Sequence, residues 1–174
     1  MKKVVSVFYA ILAAVLFTTS VLAGPSIKLS GGANSVEWSL GSLIAQGDLI
    51  LGNTNVIVEL QASGTPEVIC TNQGNNPAPG QNPANVSATG AQFMQSQTKN
   101  GKAPFDVEAS PPDTLPGVQG GCPSNNWTAH ITFVFWKHAL ITVKDPVSGA
   151  VLLQQAYDCT TTRNPDTVTC QAVP

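Results

Sequence analysis

The chain has 174 residues, 10% of them charged, with 8 Lys and Arg against 10 Asp and Glu. Arg163 carries the only guanidinium, and a mildly acidic, Arg-poor chain is a poor ligand for nucleic acid or for anionic membranes. Asn, Gln, Ser, Thr, Gly and Pro are plentiful instead, which describes a polar, mostly neutral surface over one domain with a real core.

Met1-Lys2-Lys3 is a short basic start, followed by an apolar run from Val4 to Phe17 and by Val21-Leu22-Ala23 before Gly24. This is the pattern of a secretory signal peptide over residues 1–23. Its apolar run is shorter than the ~20 residues that a spanning helix needs, so cleavage is expected, with no membrane insertion afterwards. Cleavage leaves residues 24–174, a mature chain of 151 of the 174 residues with a net charge of −4 from 6 basic and 10 acidic side chains. It is expected to be secreted or held at the cell surface, as a single domain.

In chain order, residues 26–35 are a polar lead-in, and Val36, Trp38 and Leu40 alternate as a short strand. Residues 43–51 read as a strand, or as strand–turn–strand about Gln46-Gly47-Asp48, because their glycines weaken any helix. Val56, Val58, Leu60 and Ala62 share one face of the next strand, with Glu59 and Gln61 opposite. Gly64-Thr65-Pro66 predicts a turn into a further strand over residues 67–71.

Residues 72–84 contain no charge and no large apolar side chain. A loop of that length within a compact domain is either functional or mobile, and its Asn, Pro and Gly suit tight turns. Residues 86–97 resume as a strand, with Gly90 a candidate bulge. Asn100-Gly101 is a two-residue hairpin signal, and its return strand places Phe105, Val107 and Ala109 on one face. Residues 113–125 form a second irregular segment.

The stretch from Asn126 to Lys144 is expected to centre the fold. Trp127, Ala129, Ile131, Phe133 and Phe135 alternate with Thr128, His130 and Thr132, a period of two that marks a strand with one buried face. Burying Ile131, Phe133 and Phe135 would contribute roughly 1.5–3 kcal/mol each. In this phase Val134 and Trp136 fall on the opposite face. A turn over residues 145–149 leads to Val151, Leu153 and Tyr157, and a last strand runs over residues 167–173.

Roughly nine or ten short strands punctuated by Gly and Pro, and no convincing helix in the mature chain, predict an all-β antiparallel sandwich. An immunoglobulin-like topology is one form it could take, and a closed barrel is the rival architecture. The cysteines are Cys70, Cys122, Cys159 and Cys170, and an even count in an exported chain predicts two disulfides. The turn-rich residues 160–167 favour Cys159 with Cys170, leaving Cys70 with Cys122. No CxxC occurs and neither His130 nor His138 stands near a cysteine, so no metal site is assigned.

Cys70-Thr71-Asn72-Gln73-Gly74-Asn75, Ala78-Pro79-Gly80-Gln81-Asn82-Pro83, Gly121-Cys122-Pro123 and Asn126-Trp127 form a spaced set along the chain. With Lys99-Asn100-Gly101 and the final cysteine pair, it resembles a family of small exported, disulfide-containing β-rich proteins of uncharacterised function. The resemblance covers most of the mature chain. It implies a secreted β-rich domain and supplies no activity, cofactor or catalytic residue.

No GxSxG turn is present; Ser63 stands in Gln-Ala-Ser-Gly-Thr, without the first glycine. His130 and His138 are the only histidines, and a hydrolase built on either needs an acid that spacing alone does not place. Asp106 and Glu108 read as solvated strand residues rather than a glycosidase pair. No catalytic residue and no cofactor is therefore assigned.

Binding has better candidates. Asn75, Asn76, Gln81 and Asn82 would present amides from the neutral loop, residues 113–125 would flank them, and Trp136 would stack on a sugar ring or a partner side chain if its face is open. Asn85-Val86-Ser87 and Asn126-Trp127-Thr128 are glycosylation sequons. The expected function is binding or structural work outside the cell, on a glycan or a surface protein. A secreted hydrolase with a dispersed site about His130 or His138 is the alternative.

Overall fold

The computed structural model describes residues 27–96 and 101–174. The expected leader and Lys99-Asn100 of the expected hairpin turn lie outside the described residues. Among these residues eleven strands run in the order β1 (Lys28–Leu29), β2 (Glu37–Ser39), β3 (Leu43–Ile50), β4 (Val56–Thr71), β5 (Pro77–Pro79), β6 (Val86–Met94), β7 (Lys102–Ala109), β8 (Thr114–Pro116), β9 (Thr128–Lys144), β10 (Val151–Thr162) and β11 (Thr167–Ala172). All the pairings are antiparallel. The strands make one four-stranded and one seven-stranded sheet, the all-β sandwich that alternation predicts. No helix among the described residues is long and apolar enough to cross a membrane.

In the smaller sheet β7 pairs with every residue of β3, so β1 and β2 share the other edge of β3. In the larger sheet β4 and β9 pair along almost their whole length. The far edge of β4 is shared by β6 and β5, and the far edge of β9 by β10 and β8, with β11 outside β10. The main core lies between the sheets and includes Leu43, Leu49, Val58, Leu60, Phe105, Trp136, Ile141 and Tyr157. A smaller cluster of Val68, Cys70, Cys122 and Ala129 lies beside it. Trp38 meets Tyr157 edge-on at 5.0 Å, and burial pushes the Tyr157 phenol up to about 12 while its hydroxyl donates to Ala33 O.

Several sequence expectations change in three dimensions. Gly64-Thr65-Pro66 makes no turn: β4 runs through it, with every even-numbered residue from Val56 to Cys70 buried. Proline is tolerated in such a strand only where no ladder bond is lost. Pro66 sits where β6 has ended opposite Gly64 and β5 begins only opposite Ile69, so β4 has a partner on one side alone. β3 likewise runs straight through Gly47, which lies opposite Phe105; a Cβ there would fall 3.0 Å from the ring.

The Asn100-Gly101 signal does not make a hairpin of its flanking strands, because β6 belongs to the larger sheet and β7 to the smaller. Gly90 is no bulge either, since the β4–β6 register runs through it unbroken. Its missing side chain instead admits the Glu108 carbonyl of β7, and one isolated bridge, Thr89 to Ser110, joins the two sheet edges beside it.

The largest correction concerns β9. Its register against β4 slips twice, between Ile131 and Phe133 and between Trp136 and His138. Each bulge inserts one unpaired residue, Thr132 and then Lys137, and each reverses the phase of alternation. Ala129 and Ile131 face inward, then Val134 and Trp136, then Ala139, Ile141 and Val143. Phe133 and Phe135, expected in the core, are half-buried on the outer face. There they meet edge-on at 5.0 Å, and Arg163 lies over the Phe133 ring at 4.8 Å while pairing with Glu67.

Candidate functional site

Both disulfides form as expected, Cys70–Cys122 and Cys159–Cys170. The first ties the end of β4 to the second irregular segment, and it brings the two long loops together. Gln81 N donates to Gly121 O at 2.9 Å, Ala84 N to Gln119 O at 2.7 Å, and Gly80 N to Val68 O at 3.0 Å. Within the second loop, Cys122 N donates to Gly117 O at 2.7 Å. Side chains would prevent this approach: a Cβ on Gly80 would meet Gly120 O, and one on Gly121 would meet the Gln81 backbone. The result is a cap over the smaller core cluster, in which β5 and β8 are the only regular pieces.

The loop amides divide into structural and free groups. Asn72 Oδ1 accepts from Gly74 N at 2.9 Å and Asn76 N at 3.0 Å, a side chain standing in for backbone in a turn. Asn75 (φ 57°) and Asn82 (φ 50°) hold left-handed backbone, which Asn tolerates better than other non-glycine residues. Turn formation thus accounts for much of the Asn content that marked this stretch in the sequence. Asn75, Asn76, Gln81 and Asn82 are nevertheless each exposed, one pair before β5 and the other after it. Asn126 and Asn85 are exposed at its margins, Asn85 Oδ1 accepting from Thr65 Oγ1 at 2.9 Å.

Trp136 is not part of any contact surface. It is 1% exposed and lies in the main core, because the bulge at Thr132 turns it inward. The half-exposed aromatic pair on that strand is Phe133 and Phe135, a reversal invisible to a strict period of two. No family model, curated protein or solved structure matches this chain. Function therefore has to be read from the chemistry of its own surfaces.

Of the two histidines, His130 Nε2 stands 3.2 Å from Thr71 Oγ1 on the exposed face beside the cap. His138 Nδ1 stands 3.0 Å from Asp158 Oδ1, on the outer face of the larger sheet. Ser63 is directly opposite His138 on β4. Spacing could not have paired these residues, since they stand on three different strands and meet only through the register of β4, β9 and β10. A depression of about 880 Å³ at the smaller sheet is lined by Glu37, Gln46, Asp48, Lys102 and Asp106 among others, with no imidazole.

Proposed function

We propose that this chain is a secreted, disulfide-stabilised β-sandwich that binds a neutral polar ligand, a glycan or the surface of another extracellular protein, through its two-loop cap. The observation that carries the reading is the convergence of residues 72–84 and 113–125 beside one disulfide, with two backbone hydrogen bonds between the segments, Gln81 to Gly121 and Ala84 to Gln119. Holding loops in place before contact reduces the ordering entropy that binding must overcome. Apart from Asp113 at the start of the second segment, the cap presents amides rather than charges, which suits hydroxyl-rich or neutral surfaces and selects against polyanions. Two disulfides and an N-terminal signal pattern support work outside the cell.

The test is binding of the mature protein to an array of neutral and charged glycans and to envelope fractions. A variant combining Asn75→Gly, Asn76→Ala, Gln81→Ala and Asn82→Gly strips the amides while keeping left-handed backbone available at the two positions that need it. Binding to a neutral member, lost in this variant, is the expected result. Binding to nothing, or unchanged binding by the variant, sinks the reading. N-terminal sequencing of the exported protein should begin at Gly24.

A further inference from the structure

The outer face of the larger sheet carries a second, independent feature. Ser63 on β4, His138 on β9 and Asp158 on β10 occupy one row across three adjacent strands. The Lys137 bulge sets His138 in this row; with unbroken alternation after Trp136 it would point into the core. Bulges beside a site commonly re-aim a side chain in this way. An ionised carboxylate only accepts hydrogen bonds, so the 3.0 Å contact to Asp158 Oδ1 has His138 Nδ1–H as donor. That fixes the tautomer and leaves Nε2 as the basic nitrogen. Residues directly opposite on paired strands have Cβ atoms about 4.5–5.5 Å apart, so rotation about the Ser63 side-chain bond alone, with the His138–Asp158 contact kept, turns Oγ toward the ring, and such contacts are often long before substrate binds.

These residues line a shallow open groove of about 410 Å³ that also includes Gln61, Thr89 and Leu140. We infer that this groove is an esterase site for short, uncharged acyl esters, with Ser63 as nucleophile, His138 as general base and Asp158 as the residue that positions the imidazole. Gln61, two residues before Ser63 on the same face, supplies an amide N–H to the developing oxyanion, a role that side-chain amides can fill. Ser63 Oγ adds to the ester carbonyl carbon as its proton passes to His138 Nε2. The bond to the alcohol oxygen breaks, and the alcohol leaves with that proton. Water, deprotonated by His138, then attacks the acyl carbon; the Ser63 Oγ–acyl bond breaks, and Ser63 recovers its proton. The sum is ester and water to acid and alcohol, with no oxidant or reductant.

The experiment uses the mature protein with both disulfides intact, p-nitrophenyl acetate as substrate and a fluorophosphonate as covalent probe. Peptide mapping is expected to place the probe on Ser63. Turnover should fall at least a hundredfold in Ser63→Ala and in His138→Ala, and stay unchanged in His130→Ala. Asp158→Asn should lower kcat at least tenfold with KM held, and Asp158→Glu should recover part of it. Circular dichroism checks that each variant folds. No label on Ser63 overturns the inference, and so does turnover that survives in Ser63→Ala, which would mean that an imidazole acts alone. Glycan binding by Ser63→Ala should equal that of the unmodified protein, so failure here leaves the cap reading untouched.

Discussion

Gly64 of β4 lies directly opposite Trp136 of β9, and a Cβ at Gly64 would fall 2.9 Å from Trp136 Cα and 2.5 Å from Phe135 O. The bare backbone lets β9 lie close against β4 where its second bulge begins. Trp136 is held in the core there, and His138 turns outward two residues later.

Gly64→Ala should therefore lower stability by about 1–3 kcal/mol, the usual range for forcing atoms into a packed site. Urea unfolding is expected to show a lower midpoint with an unchanged slope. A change below about 0.5 kcal/mol, the range of ordinary surface substitutions, would mean that the strands separate freely at this point.

The bulge phase can be tested by comparing two aromatic residues on one strand. Trp136→Ala should cost about 3–5 kcal/mol, as for other buried aromatic truncations. Phe133→Ala should cost less, through part of its apolar contact and a cation–π contact of roughly 0.5–1 kcal/mol. The reverse order in denaturant titrations would place Phe133 in the core and remove the bulge at Thr132.

The two disulfides should differ in weight. Cys70–Cys122 spans 52 residues and Cys159–Cys170 spans 11, for which the chain-entropy relation gives about 4 and about 3 kcal/mol respectively. The Cys70→Ala/Cys122→Ala double variant should lose more stability and should also speed amide exchange at Gln81 and Ala84. Exchange left unchanged at those two positions would show that the glycine-lined loop contacts hold the cap alone.

Asp145 gives a pH signature. Hydrogen bonds from Ser148 N, Ser148 Oγ and Val147 N hold its carboxyl below the ordinary aspartate range. A depressed native pKa contributes stability above the unfolded value of about 3.9, and that contribution is lost as pH falls through the native value. Asp145→Ala should accordingly be less stable than the parent at pH 7. The difference should close on acidification below the ordinary range and be fully present above it. A gap independent of pH between 2 and 7 would assign the effect to the turn backbone instead.

Much of this architecture was legible before any coordinates. Val56, Val58, Leu60 and Ala62 mark a buried face, and in the structure that face continues unbroken to Cys70. The cysteine pairing followed from count and turn content, and the two irregular segments stood out by composition. Local chemistry suffices for such features, because alternation and turn residues act over a few positions, and joining Cys159 to Cys170 across a short turn leaves Cys70 to pair with Cys122.

The errors cluster where a distant strand decides. Pro66 reads as a turn until the gap between β6 and β5 explains why a strand tolerates it. Gly90 reads as a bulge until the Glu108 carbonyl is found in the space it leaves.

The amino-acid order alone determined that this chain forms an oxidised, antiparallel β-sandwich with two long loops, the first of them uncharged. Tertiary structure alone decided which aromatics are buried and which polar side chains meet. Two bulged residues, Thr132 and Lys137, reverse the faces of β9, and a phase set by register against β4 leaves no trace in a pattern of period two. The row Ser63, His138, Asp158 likewise exists only once three strands are paired in register.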